Sequence, residues 1–282
     1  MTGRPFIDGH LHAWDQSRIR YPWLAGDPTM PATFEPSDLT AGPDLTAAVF
    51  VEAAAEPAEA FAEAAWAASL GAPVSVIVAF APVELGEGVQ HHLEQLLAIP
   101  EVVGVRRLLQ DEPEGLLEDE RLAAGLRQVG RQGLTFDLGV RAEQLPLLAS
   151  LVRGAPETVF VLDHLGKPPI RAGWDDDRAI RWRRALRDLA AEENVVLKIS
   201  GAAAEAGPGP LDPQAQPFIA AAIDLFGADR TMVGSDWPVS RRVMDGPSYG
   251  EWFDFVLDGF GLSPDEQTCI AIGTAAPYRI GK

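Results

Sequence analysis

Eight short, almost wholly apolar runs punctuate the chain: Phe6–Asp8, Leu45–Val51, Val74–Phe80, Val102–Val105, Leu134–Leu138, Val159–Leu162, Val195–Ile199 and Thr231–Val233. They are rich in Val, Ile and Phe, and several show no alternation with polar residues. A strand covered on both faces reads this way, whereas one wetted on one side alternates. Their starts recur at intervals of roughly 25–40 residues, the span of one strand plus one helix. Between them lie helical patterns with readable ends. The stretch from Pro57 to Leu70 has proline in its first turn and closes at Gly71. From Asp119 to Gln132, Leu122, Leu126 and Val129 share one face before Gly133. Ile180, Leu186 and Leu189 recur within 178–192, and a further helix is predicted from Pro213 to Phe226, ending at Gly227. Ser263-Pro264-Asp265-Glu266 is a capping box that opens a last helix near 264–272.

Strand and helix alternate throughout, which predicts an α/β fold, and eight repeats of the unit predict a closed (β/α)8 TIM barrel. An open doubly wound sheet would be marked by a glycine-rich first turn. Here the first strand runs instead into Asp8-Gly9-His10-Leu11-His12, and no G-x-G-x-x-G occurs. No domain boundary is visible, so residues 1–282 are expected to form one domain. Gly207-Pro208-Gly209-Pro210 and the segment from Pro168 to Asp177 are read as loops on the face where barrel enzymes carry their active sites.

Composition narrows the function. The chain has 282 residues, 47% of them hydrophobic, enough to bury one large core. Its formal charge is −18, and the arginines between 178 and 187 read as the solvated face of a helix. A nucleic-acid partner is therefore not expected, and the acidic field favours a neutral or singly charged small-molecule substrate. No apolar run reaches the roughly 18 residues of a membrane span. The first ten residues lack the apolar core of a secretion signal, so a cytoplasmic location is expected. Cys269 is the single cysteine and is expected to be a buried small hydrophobe. Nothing in the pattern reports the oligomeric state.

Three of the five histidines follow strands. His10 and His12, two apart on an extended segment, point the same way. His164 follows the sixth run and Asp236 the eighth. Closing a barrel sets the eighth strand beside the first, which brings Asp236 to His10 and His12, with His164 two strands round. These three nitrogens and one oxygen suit a single divalent ion such as zinc. His91 and His92 lie in a helical stretch and are expected at the surface. Arg106, ending the fourth strand, offers a planar fork for a carboxylate or hydroxyl. Arg107 points the other way if that strand continues. Trp14 and Trp237 flank the key residues and are candidates to stack on a sugar ring. Tyr21 and Trp23 lie in a long first loop placed to cover the site. Lys198, in an otherwise apolar strand, needs a buried partner, with Glu52 and Asp137 the candidates. Ser235 should point away from its neighbour Asp236, and no G-x-S-x-G elbow is present.

Several segments in order carry a family resemblance. They are Ile7-Asp8-Gly9-His10-Leu11-His12-Ala13-Trp14-Asp15, Tyr21-Pro22-Trp23-Leu24, Gly104-Val105-Arg106-Arg107, Val161-Leu162-Asp163-His164-Leu165-Gly166-Lys167-Pro168, Leu197-Lys198-Ile199-Ser200-Gly201 and the stretch from Phe226 through Gly234-Ser235-Asp236-Trp237-Pro238. The chain resembles the amidohydrolase-related proteins, in particular their sugar-acid and dicarboxylate lactonases. That resemblance implies a hydrolase of carbohydrate metabolism that opens a lactone, of the L-fuconolactone or L-rhamnonolactone kind, with Asp236 as general base. Carbonyl polarisation comes either from a bound metal or, as in some lactonases of this branch, from the imidazoles acting without one. The lysine expected of a binuclear centre near the fourth strand is absent. Two departures stand out: Arg107 occupies a place where relatives often carry His, and the close reads Thr274-Ala275-Ala276-Pro277-Tyr278 where Asn-Ala-x-x-x-Tyr is common. Two other readings use the same polar set, a metal-dependent decarboxylase of the same superfamily and a silent sugar-acid binding protein.

Overall fold

Each apolar run becomes a strand of one parallel sheet. In the computed structural model, which describes residues 3–39, 44–207, 213–242 and 247–280, these are β1 (Phe6–Leu11), β2 (Leu45–Val51), β3 (Val74–Phe80), β4 (Val102–Arg106), β5 (Thr135–Leu138), β6 (Val159–Leu162), β7 (Val195–Ile199) and β8 (Thr231–Val233). Sheet order follows sequence order, with every pairing parallel. The last strand meets the first: Asp236 N donates to His10 O at 2.8 Å, and His12 N donates to Trp237 O at 2.9 Å. The sheet is thus a (β/α)8 barrel.

Helices α1 (Ala60–Ser69), α2 (Gln90–Leu96), α3 (Glu114–Leu117), α4 (Glu120–Arg131), α5 (Leu145–Arg153), α6 (Asp177–Ala190), α7 (Ala202–Ala206), α8 (Gln216–Phe226), α9 (Tyr249–Asp258) and α10 (Pro264–Ala271) connect and surround the strands. Their starts follow local chemistry. The Asp119 carboxylate accepts from Arg121 N ahead of α4, and Ser263 forms the expected capping box with Glu266 ahead of α10. Most of the helix predicted from Pro213 is present, but it begins at Gln216.

Because strand side chains alternate, each strand serves two cores. Phe50, Ile77, Phe136, Phe160 and Leu197 face the helices, where they meet Leu122, Leu126, Val129, Leu186 and Leu189. Val49, Val51, Val76, Val78, Val161, Val196 and Met232 pack on one another within the barrel, joined by Tyr278 from the C-terminal segment. Two expectations are corrected. Cys269 is only half-buried on α10, and β1 runs three residues further than its apolar run, so His10 lies inside the strand. Among the described residues no helix is long and apolar enough to cross a membrane. Residues 208–212, which include most of the Gly-Pro loop, lie outside the described residues.

Barrel closure depends on a missing side chain. A Cβ on Gly234 would lie 2.7 Å from His10 Cβ and 2.8 Å from His10 N. Gly234→Ala is therefore expected to destabilise the protein by roughly 1–3 kcal/mol, the usual range for overpacking. Urea denaturation measures this, and an unchanged midpoint would show that β1 and β8 can separate freely.

Candidate active site

The C-terminal ends of the strands surround a cavity of about 440 Å³, walled by His12, Trp23, Arg106, His164, Lys167, Glu205 and Asp236 among others. At its floor the polar set converges. Asp236 Oδ1 lies 3.4 Å from His12 Nε2, 3.8 Å from His10 Nε2 and 3.9 Å from His164 Nε2. Backbone strain accompanies the convergence: His164, Leu165 and Asp236 all have positive φ, at 54°, 57° and 56°. Such conformations cost of order 1–3 kcal/mol each in non-glycine residues and cluster at functional sites.

Neighbours orient the imidazoles. His12 Nδ1 sits 2.9 Å from Val51 O. A carbonyl only accepts, so that nitrogen carries the proton and Nε2 presents a lone pair. His10 Nδ1 faces Asp163 Oδ1 at 3.2 Å. Burial pushes the Asp163 carboxyl up, but Lys198 and His10 outweigh it and hold it well below the usual carboxylate range. Asp163 is thus ionised, and His10 Nδ1 lies between it and the Lys198 ammonium at 3.3 Å. Burial likewise pushes His10 well below the usual imidazole range, and His164 down to about 4. Asp236 is pushed up by burial, yet the surrounding imidazoles, His164 foremost, outweigh this and keep it ionised. His10 Nε2, 3.1 Å from the His12 Nε2 lone pair, and the Asp236 carboxylate oxygen therefore converge on one point. Two ring nitrogens and a carboxylate oxygen all within 4.8 Å of one another form a donor set that fits a divalent ion held by His10, His12 and Asp236.

Beneath the floor a column of buried charge supports the imidazoles. Lys198 Nζ lies 2.5 Å from Asp137 Oδ2, 3.1 Å from Asp163 Oδ1 and 3.3 Å from His10 Nδ1. The Tyr278 hydroxyl donates to Asp137 at 2.8 Å. Of the two partners anticipated for Lys198, Asp137 holds it. Glu52 instead accepts from Arg106 Nε at 2.7 Å, while Arg106 Nη1 donates to Asp163 at 3.3 Å. The Ser235 hydroxyl turns away from the cavity, as expected, to Asp8 at 2.6 Å.

The structure thus brings His10, His12, His164, Asp236 and Arg106 to one site. It sets Trp14, Tyr21 and Trp237 off the cavity wall. Trp14 is fully buried and packs edge-on against Trp23, with ring centroids 5.6 Å apart. Trp23, donating to Ala53 O at 2.6 Å, is the ring of the first loop that reaches the cavity. Trp237 packs edge-on against Tyr249 at 5.8 Å. His92 departs from its expected surface position: it is half-buried, with Nε2 3.0 Å from the Phe80 carbonyl at the end of β3. Sequence reasoning assigned no role to Asp163, Lys167 or Glu205. The first two sit inside the Asp-His-Leu-Gly-Lys-Pro segment that signalled the family, whereas Glu205 has no comparable marker.

A buried acid braces one edge of the site. Glu63 accepts from Ala53 N at 3.0 Å, and burial and the nearby Glu52 push its carboxyl up to about 8. Its folded-state value lies above its unfolded one. Its stabilising contribution is therefore full below pH ~4.5 and is lost as the pH rises through about 8. Glu63→Gln, which mimics the protonated acid, is expected to flatten the loss of stability over this window. Denaturation midpoints measured across it decide the matter, and an unaltered pH dependence would reject the assignment.

The family model described as Amidohydrolase matches residues 7–277. An L-fucono-1,5-lactonase of Burkholderia multivorans is 34% identical, the match covering 96% of this chain and 94% of that protein. An L-fucono-1,5-lactonase of Burkholderia ambifaria is 37% identical over 188 residues, which is 65% of this chain but only 63% of the relative's length. A crystal structure of an amidohydrolase from Burkholderia multivorans with bound Zn has a TM-score of 0.80 at 29% identity, covering 97% of this chain and 99% of that one. With the family pattern spanning almost its whole length and the barrel carrying the polar set at one mouth, this chain belongs to the amidohydrolase family.

Proposed function

We propose that this protein is a lactonase that opens the cyclic ester of a sugar acid, with Asp236 as general base. The observation that carries the reading is the ionised Asp236 carboxylate, within 4 Å of three imidazole nitrogens at the floor of the cavity. The two L-fucono-1,5-lactonases support a substrate of the fuconolactone type.

Ester hydrolysis needs an activated water, a polarised carbonyl and a proton for the departing alkoxide. Asp236 takes the proton from the attacking water as the new C–O bond forms. It then delivers that proton to the ring oxygen as the old C–O bond breaks. The product hydroxy acid ionises at neutral pH, so turnover releases acid. His12, its tautomer fixed by Val51, aims a lone pair at this point, His10 Nε2 faces the same point, and His164 closes the third side. A zinc ion held by His10, His12 and Asp236, with His164 beside it, would supply Lewis acidity toward water and the carbonyl. Arg106, buried at the cavity wall, holds Asp163 and the Glu52 corner in place with all three guanidinium nitrogens. Trp14 and Tyr21 back Trp23, and Trp237 braces the turn that carries Asp236.

A panel of sugar-acid lactones followed with a pH indicator tests the reading. Acid release without CO2 is expected, and CO2 release would make the protein a decarboxylase instead. Chelation is expected to lower the rate and added zinc to restore it. Full activity in protein shown to be metal-free removes zinc from the mechanism.

A further inference from the structure

Lys167, Gln110 and Glu205 line the cavity without a part in the hydrolytic step. They come from three separate places: the turn after β6, the loop after β4, and α7 after β7. Lys167 is held in the left-handed region at φ 51°, in a turn whose preceding three residues are also left-handed. This strained turn presents both His164 and Lys167 to the cavity.

Charge in this wall is balanced in an informative way. Arg106 directs its guanidinium to Glu52 and Asp163. Asp111 is paired with Arg141 at 2.5 Å. Lys167 is hydrogen-bonded to the neutral Gln110 amide, while Glu205 is near enough to feel its charge. One ammonium and one carboxylate therefore face a shared space, each with hydrogen-bonding capacity left over. A hydroxyl both donates and accepts, so such a wall suits adjacent hydroxyl groups. A carboxylate-bearing ligand would be repelled by Glu205 and Asp236, while Arg106 and Arg141 are already paired with carboxylates.

We propose that Lys167, Gln110 and Glu205 form a hydroxyl-recognition wall that selects an uncharged, polyhydroxylated lactone over carboxylated or unsubstituted ones. The proposal rests on the lactonase reading and deepens it by naming the residues that select for the substrate's hydroxyl groups.

Two variants of opposite expected effect test it. Lys167→Met should narrow the preference for a hexono-1,5-lactone over δ-valerolactone, measured as the ratio of kcat/KM, by on the order of 10²-fold or more. Glu205→Gln should raise the relative rate on a lactone bearing a free carboxylate by about tenfold, since it removes a repelling charge. A gain of this kind cannot arise from misfolding. An unchanged ratio in Lys167→Met, or no gain in Glu205→Gln, overturns the proposal. Calorimetry with the hydroxylated lactam, which is not hydrolysed, separates this result from the parent reading. If the lactam binds, weakens in Lys167→Met, and yet no lactone turns over, the wall stands and the lactonase reading falls. If unsubstituted and hydroxylated lactones react equally well in the unaltered protein, the lactonase reading stands and the wall falls.

Discussion

Replacing Asp236 with Asn is expected to lower kcat for lactone opening by about 10²–10⁴-fold while leaving the fold intact, the usual contribution of a positioned general base. Asn keeps the size of the side chain but cannot take a proton from water. It also removes the negative charge on which His10, His12 and His164 converge. The backbone should persist, because Asp236 N is tied to His10 O at 2.8 Å. Initial rates on the best lactone of the panel, with circular dichroism as a fold control, measure the effect. A variant with the rate of the unaltered protein would remove Asp236 from the chemistry and with it the proposed mechanism.

The second large effect concerns stability. Lys198→Met is expected to cost about 3–5 kcal/mol, the range for breaking a buried ion pair by removing one partner. Lys198, Asp137 and Asp163 have side chains with no solvent exposure. Methionine fills the volume but leaves Asp137 without its cation and Asp163 with Arg106 alone. The deficit should shrink as the pH falls, because protonating an orphaned carboxyl removes the uncompensated charge. A second substitution, Asp137→Asn, should recover part of the loss, since the amide needs no counter-charge and can still accept from Tyr278. Urea denaturation of the single and double variants decides it. A loss below about 1 kcal/mol for Lys198→Met would mean that the column stabilises nothing.

The two predictions address different depths of one structure. Asp236 acts where the cavity meets substrate, whereas Lys198 acts through Asp163 on His10. The deeper layer surrounds His10 Nδ1, with Asp163 at 3.2 Å and Lys198 at 3.3 Å, and so orients the ring whose Nε2 reaches the floor. Groups that orient a ligand histidine in this way commonly change metal affinity by 10–100-fold when lost.

What could be read from the chain alone was whatever depends on local periodicity and on strand order. Apolar runs such as Val74–Phe80 and helix ends such as Asp119 and Ser263 are written in adjacent residues, so the element order and the barrel were legible. Barrel closure then follows from the count of strands, and it carries His10, His12, His164 and Asp236 to one mouth. The pairing of side chains across strands was not legible, because it depends on register and on which rotamer fills a given space. That is why Lys198 joins Asp163 as well as Asp137 while Glu52 goes to Arg106, and why Trp23 rather than Trp14 meets the cavity. Glu205 and Lys167 come from connections after neighbouring strands, and only packing of the folded chain turns them toward one space.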